Sequence, residues 1–239
     1  MKFKSIAIVV GLFVSVLYSQ PLNAGVYDKH IAELRKKAES GDADSAQELG
    51  GIYTYGIMAE KDEAEAVKWY SKALKQYRNA AERGDVEAQF KLGRTYMQGW
   101  GVNKDEAECI KWYLKAAGQG HAIAQRMIGS FYWDGYGYLP QNKAEAVQWY
   151  IQASGRGDTE AQYRLGYSYE NGVGVTKDWP EAVKWYSKSA VRGNAEAQYR
   201  VGYIFYMDNK KDLAVKWLQM SAKQWNTDAI KLLKTISEQ

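Results

Sequence analysis

Gly157-Asp158-Thr159-Glu160-Ala161-Gln162-Tyr163-Arg164-Leu165-Gly166-Tyr167-Ser168-Tyr169-Glu170-Asn171-Gly172-Val173-Gly174 leads on to Glu181-Ala182-Val183-Lys184-Trp185-Tyr186, and this phrase recurs along the chain. Gly84-Asp85, Gly120-His121, Gly157-Asp158 and Gly193-Asn194 open it at intervals of 36, 37 and 36 residues. Ala-Gln follows each opening, then an apolar residue with Gly, then an aromatic; a Gly-rich turn and a Trp-centred segment complete the better-kept units. The second unit reads Ala88-Gln89, Leu92-Gly93, Tyr96, Gly99-Trp100-Gly101, Glu108-Cys109, Trp112-Tyr113. A fixed period of this length marks a repeat array.

Each unit reads as a helical hairpin. Asp42, Asp85 and Asp158 stand where an N-cap belongs, and Asp44, Glu87 and Glu160 put negative charge in the first turn. Ala88, Leu92 and Tyr96 follow at i, i+4 and i+8, one stripe of the first helix, helix A. The Gly-x-Gly turn gives the backbone conformations that other residues resist. Helix B resumes at the acidic residues and carries Trp-Tyr. Gly93 and its equivalents lie inside helix A, where Gly costs about 1 kcal/mol relative to Ala. Repetition of that cost implies close approach by helix B.

Working outward, the repeats span 41–83, 84–119, 120–156, 157–192 and 193–224. Residues 25–40 form an expected N-terminal capping helix, and 225–239 a C-terminal half-repeat with Leu233 at the Leu position. Three units depart from the pattern. In the first, Lys68–Leu74 is followed by a similar heptad, Lys75–Ala81, which keeps the same helix face and predicts a helix B about 10 Å longer. The third has an altered turn, Gly135-Tyr136-Gly137-Tyr138-Leu139-Pro140, and the fifth lacks four turn residues.

The first 24 residues have another character. Lys2 and Lys4 precede an apolar run, Ile6 to Leu17, and Leu22-Asn23-Ala24 ends in a small residue. This is the layout of a secretory signal peptide cut after Ala24, and it predicts a periplasmic or secreted protein. An uncleaved anchor is the alternative, although the run is shorter than the roughly 20 residues that span a bilayer. Without that segment the chain carries 30 Lys and Arg against 28 Asp and Glu, a net charge of +2. No clustered basic face points to nucleic acid. The single Cys109 cannot form an internal disulfide, so packing must supply the stability.

Little of the sequence reads as chemistry. His30 and His121 have no companions at metal-ligand spacing, and His121 takes the capping position that Asp fills elsewhere. Cys109 aligns with Ala66, Ala146 and Ala182, which reads as a small buried residue. Glu65, Glu108, Glu145 and Glu181 recur on separate hairpins and read as solvated faces. No nucleophile–base pair is visible, so neither an enzyme nor a cofactor is expected.

The recurring LG, Y, GxG and WY elements resemble the Sel-1-like repeat, a relative of the tetratricopeptide repeat, over Gly41 to about Ile236. The resemblance implies an all-α fold: an α-solenoid of antiparallel helix pairs, wound as a right-handed superhelix with helix A lining a concave face. It also implies a non-catalytic module that binds a protein partner, an envelope protein or a secreted effector. Exported members similar to this chain include immunity proteins that block a toxic effector such as a lipase. Cysteine-rich members linked to β-lactam hydrolysis carry paired Cys in each unit, which this chain lacks.

Candidate binding residues lie off the helix-A core stripe: Tyr163, Arg164, Tyr167, Tyr199, Arg200, Tyr203, Arg94 and Trp133, with Phe90, Lys91, Arg126 and Tyr206 beside them. Tyr, Trp and Arg are enriched at binding hot spots. Packing between adjacent hairpins would account for the same tyrosines, and the arginines are expected to be the more exposed members.

Overall fold

The computed structural model describes residues 24–238, so the expected signal peptide, apart from Ala24, lies outside the described residues. Those residues form twelve helices and no strand. The first helix, α1 (Ala24–Glu39), precedes the pairs, which are α2 (Ala43–Tyr55) with α3 (Glu63–Glu82), α4 (Val86–Gln98) with α5 (Glu106–Gly118), and α6 (Ala122–Asp134) with α7 (Lys143–Gly155). Then come α8 (Thr159–Asn171) with α9 (Trp179–Val191), α10 (Ala195–Met207) with α11 (Lys211–Ala222), and the single α12 (Thr227–Ser237). No helix among them is long and apolar enough to cross a membrane.

The chain forms two compact units, one ending at Tyr77 and including Trp100–Val102, the other made of Arg78–Gly99 and the residues from Asn103 on. The division falls inside α3, within the duplicated heptad. That helix has 20 residues where α5, α7 and α9 each have 13. Seven added residues at 1.5 Å each give the expected extension of about 10 Å.

The caps form as the sequence predicts. Asp42, Asp85 and Asp158 accept from the amides of Ser45, Ala88 and Ala161, and the His121 ring accepts from Ala124 through Nδ1 at 3.1 Å. The mid-helix glycines also have their packing reason. A Cβ on Gly93 would stand 2.7 Å from Cδ1 of Tyr113, and on Gly129 2.7 Å from Cε1 of Tyr150. A Cβ on Gly166 would meet Tyr186 at 2.5 Å. The Tyr of each Trp-Tyr pair therefore lies flat on the helix-A glycine of its own repeat. Tyr113, Tyr150 and Tyr186 are fully buried as a result.

The irregular turns take three forms. Met58 holds φ 68° where later repeats place the second Gly of the turn. In the third repeat Tyr136 and Leu139 exchange backbone hydrogen bonds at 3.1 and 3.0 Å, closing a small hairpin with Tyr138 exposed at its tip. In the fifth, Asn209 at φ 56° makes the whole reversal.

Candidate functional site

Helix A presents two registers of off-stripe residues, and the structure separates them. Phe90, Tyr163 and Tyr199 occupy the first. Phe90 stacks on Tyr113 at 5.5 Å and on His121 at 4.4 Å, and Tyr163 lies 5.7 Å from Tyr186. Tyr163 and Tyr199 are half-buried, packed against the cores of the fourth repeat and of the C-terminal pair. These rings join neighbouring helices.

Tyr167 and Tyr203 occupy the second register, four residues on, and are exposed at 37% and 38%. Tyr167 meets Trp133 edge-on at 6.1 Å, so Trp133 and Tyr167 are brought together, with the Lys143 ammonium 4.3 Å above the Trp133 ring. Tyr199 lies 6.2 Å from Tyr203. Arg94 shares this register and is half-buried.

The arginines depart from expectation. Arg164 donates to Glu160 at 3.2 Å and lies 5.9 Å from the centre of the Tyr150 ring. Arg200 pairs with Glu170 at 3.6 Å, and Glu170 in turn accepts from the Tyr186 hydroxyl at 2.5 Å. Arg126 donates to the capping residue Asp158 at 3.0 Å. Arg126, Arg164 and Arg200 each have a carboxylate within reach, and Tyr167 and Tyr203 carry exposed rings.

Two recurrent arrangements escaped the sequence reading. Gln89, Gln125, Gln162 and Gln198 are buried, and each donates its amide to a carbonyl at the end of the preceding helix B. A second ladder links caps to first turns. His121 Nε2 lies 3.1 Å from Glu87, Asn194 donates to Glu160 at 3.2 Å, and Asn226 to Glu196 at 2.9 Å. The third repeat has no acid in its first turn; there Arg126 approaches Asp158, whose carboxylate can only accept. Covariation of cap and partner between successive units was the available signal.

Two of the four recurrent acids are more than solvated faces. Glu65 and Glu108 each accept from a Lys at 2.6 Å and from the Trp indole one turn on at 2.8 and 2.9 Å. The Lys68 bond holds the Glu65 carboxyl below its usual range. Cys109 is fully buried, and burial pushes its thiol up to about 12. His30 lies 3.2 Å from Glu48. Among the described residues no group of three or more His, Cys, Asp or Glu gathers to hold a metal.

The model of the Sel1 repeat matches residues 43–77, 86–121, 122–158, 159–194 and 195–224. Among curated proteins, none matches. A Sel1 repeat protein from Oxalobacter formigenes is 34% identical, with 88% of this chain and 90% of that chain covered and a TM-score of 0.63. An immunity protein from Pseudomonas aeruginosa shares the fold at 18% identity, covering 91% of this chain and 81% of its own, TM-score 0.56. A second immunity protein from that organism does so at 20% identity, covering 85% and 84%, TM-score 0.50.

Proposed function

The chain belongs to the Sel1 repeat family, and from that premise we propose that it is a non-catalytic protein of the bacterial envelope, binding a protein partner through the helix-A surface around Tyr167 and Tyr203. The family's repeats are typically protein-binding scaffolds. The observation that carries the reading is the exposure of two tyrosines at one register of the A helices of successive repeats, beside half-buried Trp133 and anchored Arg164 and Arg200. Rigid aromatics backed by fixed charges are the residues that dominate binding energy at interfaces. The export signal read in residues 1–24 supports the location.

The toxin-neutralising form of this reading draws on the expected leader and on two immunity proteins of the same fold; at 18% and 20% identity they carry the fold and not the partner. The test is affinity capture from envelope and culture-supernatant extracts, with tagged parent and a Tyr167→Ser/Tyr203→Ser variant side by side. Loss of two hot-spot rings should weaken a captured partner at least about 30-fold while the melting temperature holds. Equal capture by both forms would show that the surface is elsewhere. A single stoichiometric effector would point to immunity, and several envelope proteins to a scaffold.

A further inference from the structure

The four buried glutamines give their amides to the preceding helix B alike, but their carbonyl oxygens fare differently. In repeats two and five a second glutamine, just past helix B, closes the arrangement. Gln119 Nε2 donates to Gln89 Oε1 at 2.8 Å and to the Gly84 carbonyl at 3.2 Å. Gln224 Nε2 donates to Gln198 Oε1 at 2.9 Å and to the Gly193 carbonyl at 2.8 Å. In each repeat one carboxamide nitrogen bridges two acceptors.

Repeats three and four carry Arg156 and Arg192 at that place. Arg192 donates to the Gly157 carbonyl at 2.9 Å and so takes over one half of the bridge. The other half stays open: Gln162 is 4% exposed, and its Oε1 has no hydrogen-bond partner among the described residues. Gln125 Oε1 is left in the same condition. A buried acceptor without a donor has lost its hydration and gained nothing for it. Gln162 also borders open space. A cavity of about 540 Å³ lies at the ends of α7 and α9, with Ser154, Gln162, Trp185, Lys188, Val191 and Arg192 in its lining. That volume is within the range of about 300–1,000 Å³ that takes small ligands. None of its lining residues is Asp or Glu. The Lys188 ammonium, 4.2 Å above the Trp185 ring, and the Arg192 guanidinium have only protons to give, whereas Gln162 Oε1 can only accept. A carboxylate has no proton for Gln162, and an ammonium would face two cations. A carboxamide both donates and accepts. A hydroxyl does so too, but repeats two and five place an amide at this point.

We propose that the fourth repeat binds a primary carboxamide in this cavity, either an Asn or Gln side chain of a partner or a small free amide. Arg192, exposed at the edge, turns off the Gly157 carbonyl to admit it. The ligand nitrogen then bridges that carbonyl and Gln162 Oε1, as Gln119 and Gln224 do within their own repeats. The ligand oxygen accepts from Lys188, and its carbon stem lies along Val191. None of these residues belongs to the register of Tyr167 and Tyr203, so the site stands whether or not that surface binds a partner.

The probe is glutamine blocked as its N-acetyl methylamide, titrated into isotope-labelled protein from Ala24 on and followed at the Gln162 side-chain amide and the Trp185 indole N–H. Saturable shifts are expected, with a dissociation constant on the order of millimolar for so small a ligand. Blocked methionine keeps the length of the side chain without its amide and should bind at least about tenfold more weakly. Arg192→Gln copies repeats two and five, supplies the amide from within and should abolish the response. Arg192→Ala clears the entrance and should keep it. Equal binding of methionine, survival of the shifts in Arg192→Gln or their loss in Arg192→Ala overturns the proposal. So does a titration that fails to saturate at about tenfold above the millimolar range. Free glutamine binding as well as the blocked form would identify a small amide as the occupant, and preference for the blocked form a protein side chain. Tyr167→Ser/Tyr203→Ser should leave the response intact, which separates failure here from failure of the wider binding surface.

Discussion

At Gly166 two effects of a single methyl group oppose each other. Ala in a helix interior gains about 1 kcal/mol over Gly. Here the new Cβ would lie 2.5 to 2.9 Å from three ring atoms of Tyr186, whose hydroxyl is tied to Glu170 at 2.5 Å and whose side chain is fully buried. The ring has no free space to enter, and overpacking of this kind costs about 1–3 kcal/mol. Gly166→Ala should therefore lower stability in urea unfolding by an amount in that range. Gly51→Ala is the matched control, because the nearest atom to its Cβ is the Tyr70 hydroxyl at 3.8 Å and propensity alone should act. It should raise stability by up to about 1 kcal/mol. A gain at both positions would mean that Tyr186 can move and that the recurrent glycine has another cause.

At the scale of helices, caps and turns set the register of the array. His121 accepts from Ala124 through Nδ1, so in that arrangement Nε2 carries the proton facing Glu87. His121→Ala should cost about 1 kcal/mol, and His121→Asn, which can accept and donate in the same way as Asn194, should recover most of it. Conversely, Lys210→Asp should add about 0.5–1 kcal/mol by supplying the cap that α11 lacks, measured as a higher urea midpoint. Helix pairing, the lengthened α3 and the Asp caps were legible because each depends on spacing within one unit. The Glu–Trp–Lys clusters were misread as solvated faces because the indole donor lies one turn away on the same helix, where charge patterning alone does not register it. The cap ladder was hidden more deeply: its two halves belong to different repeats, more than thirty residues apart at His121 and Glu87.

For the whole molecule, which aromatics stay open was not legible either. Both registers of helix A carry tyrosines, and only the packing of neighbouring helices half-buries Tyr163 while leaving Tyr167 the more exposed. The buried rings have a collective consequence. Burial raises the phenols of Tyr70, Tyr113, Tyr150 and Tyr186, the last helped by its bond to Glu170, and brings Tyr136 to about 12. An unfolded tyrosine ionises near 10, so above that pH the unfolded chain releases protons that the fold retains. Stability is then complete below about pH 10 and is lost as pH rises toward the folded values, by about 1.4 kcal/mol per pH unit for each such proton. Cys109 follows the same sign with an earlier onset, because a free thiol ionises near 8.5 and this one is held at about 12. Urea midpoints taken from pH 7 to 11 should therefore be level up to about 8.5, slope by one proton to about 10, and steepen beyond. Cys109→Ala places in this unit the residue found at 66, 146 and 182, and it should flatten the first segment while leaving the steep one. If the variant keeps the slope between 8.5 and 10, the early proton belongs to another group and the thiol does not govern that window.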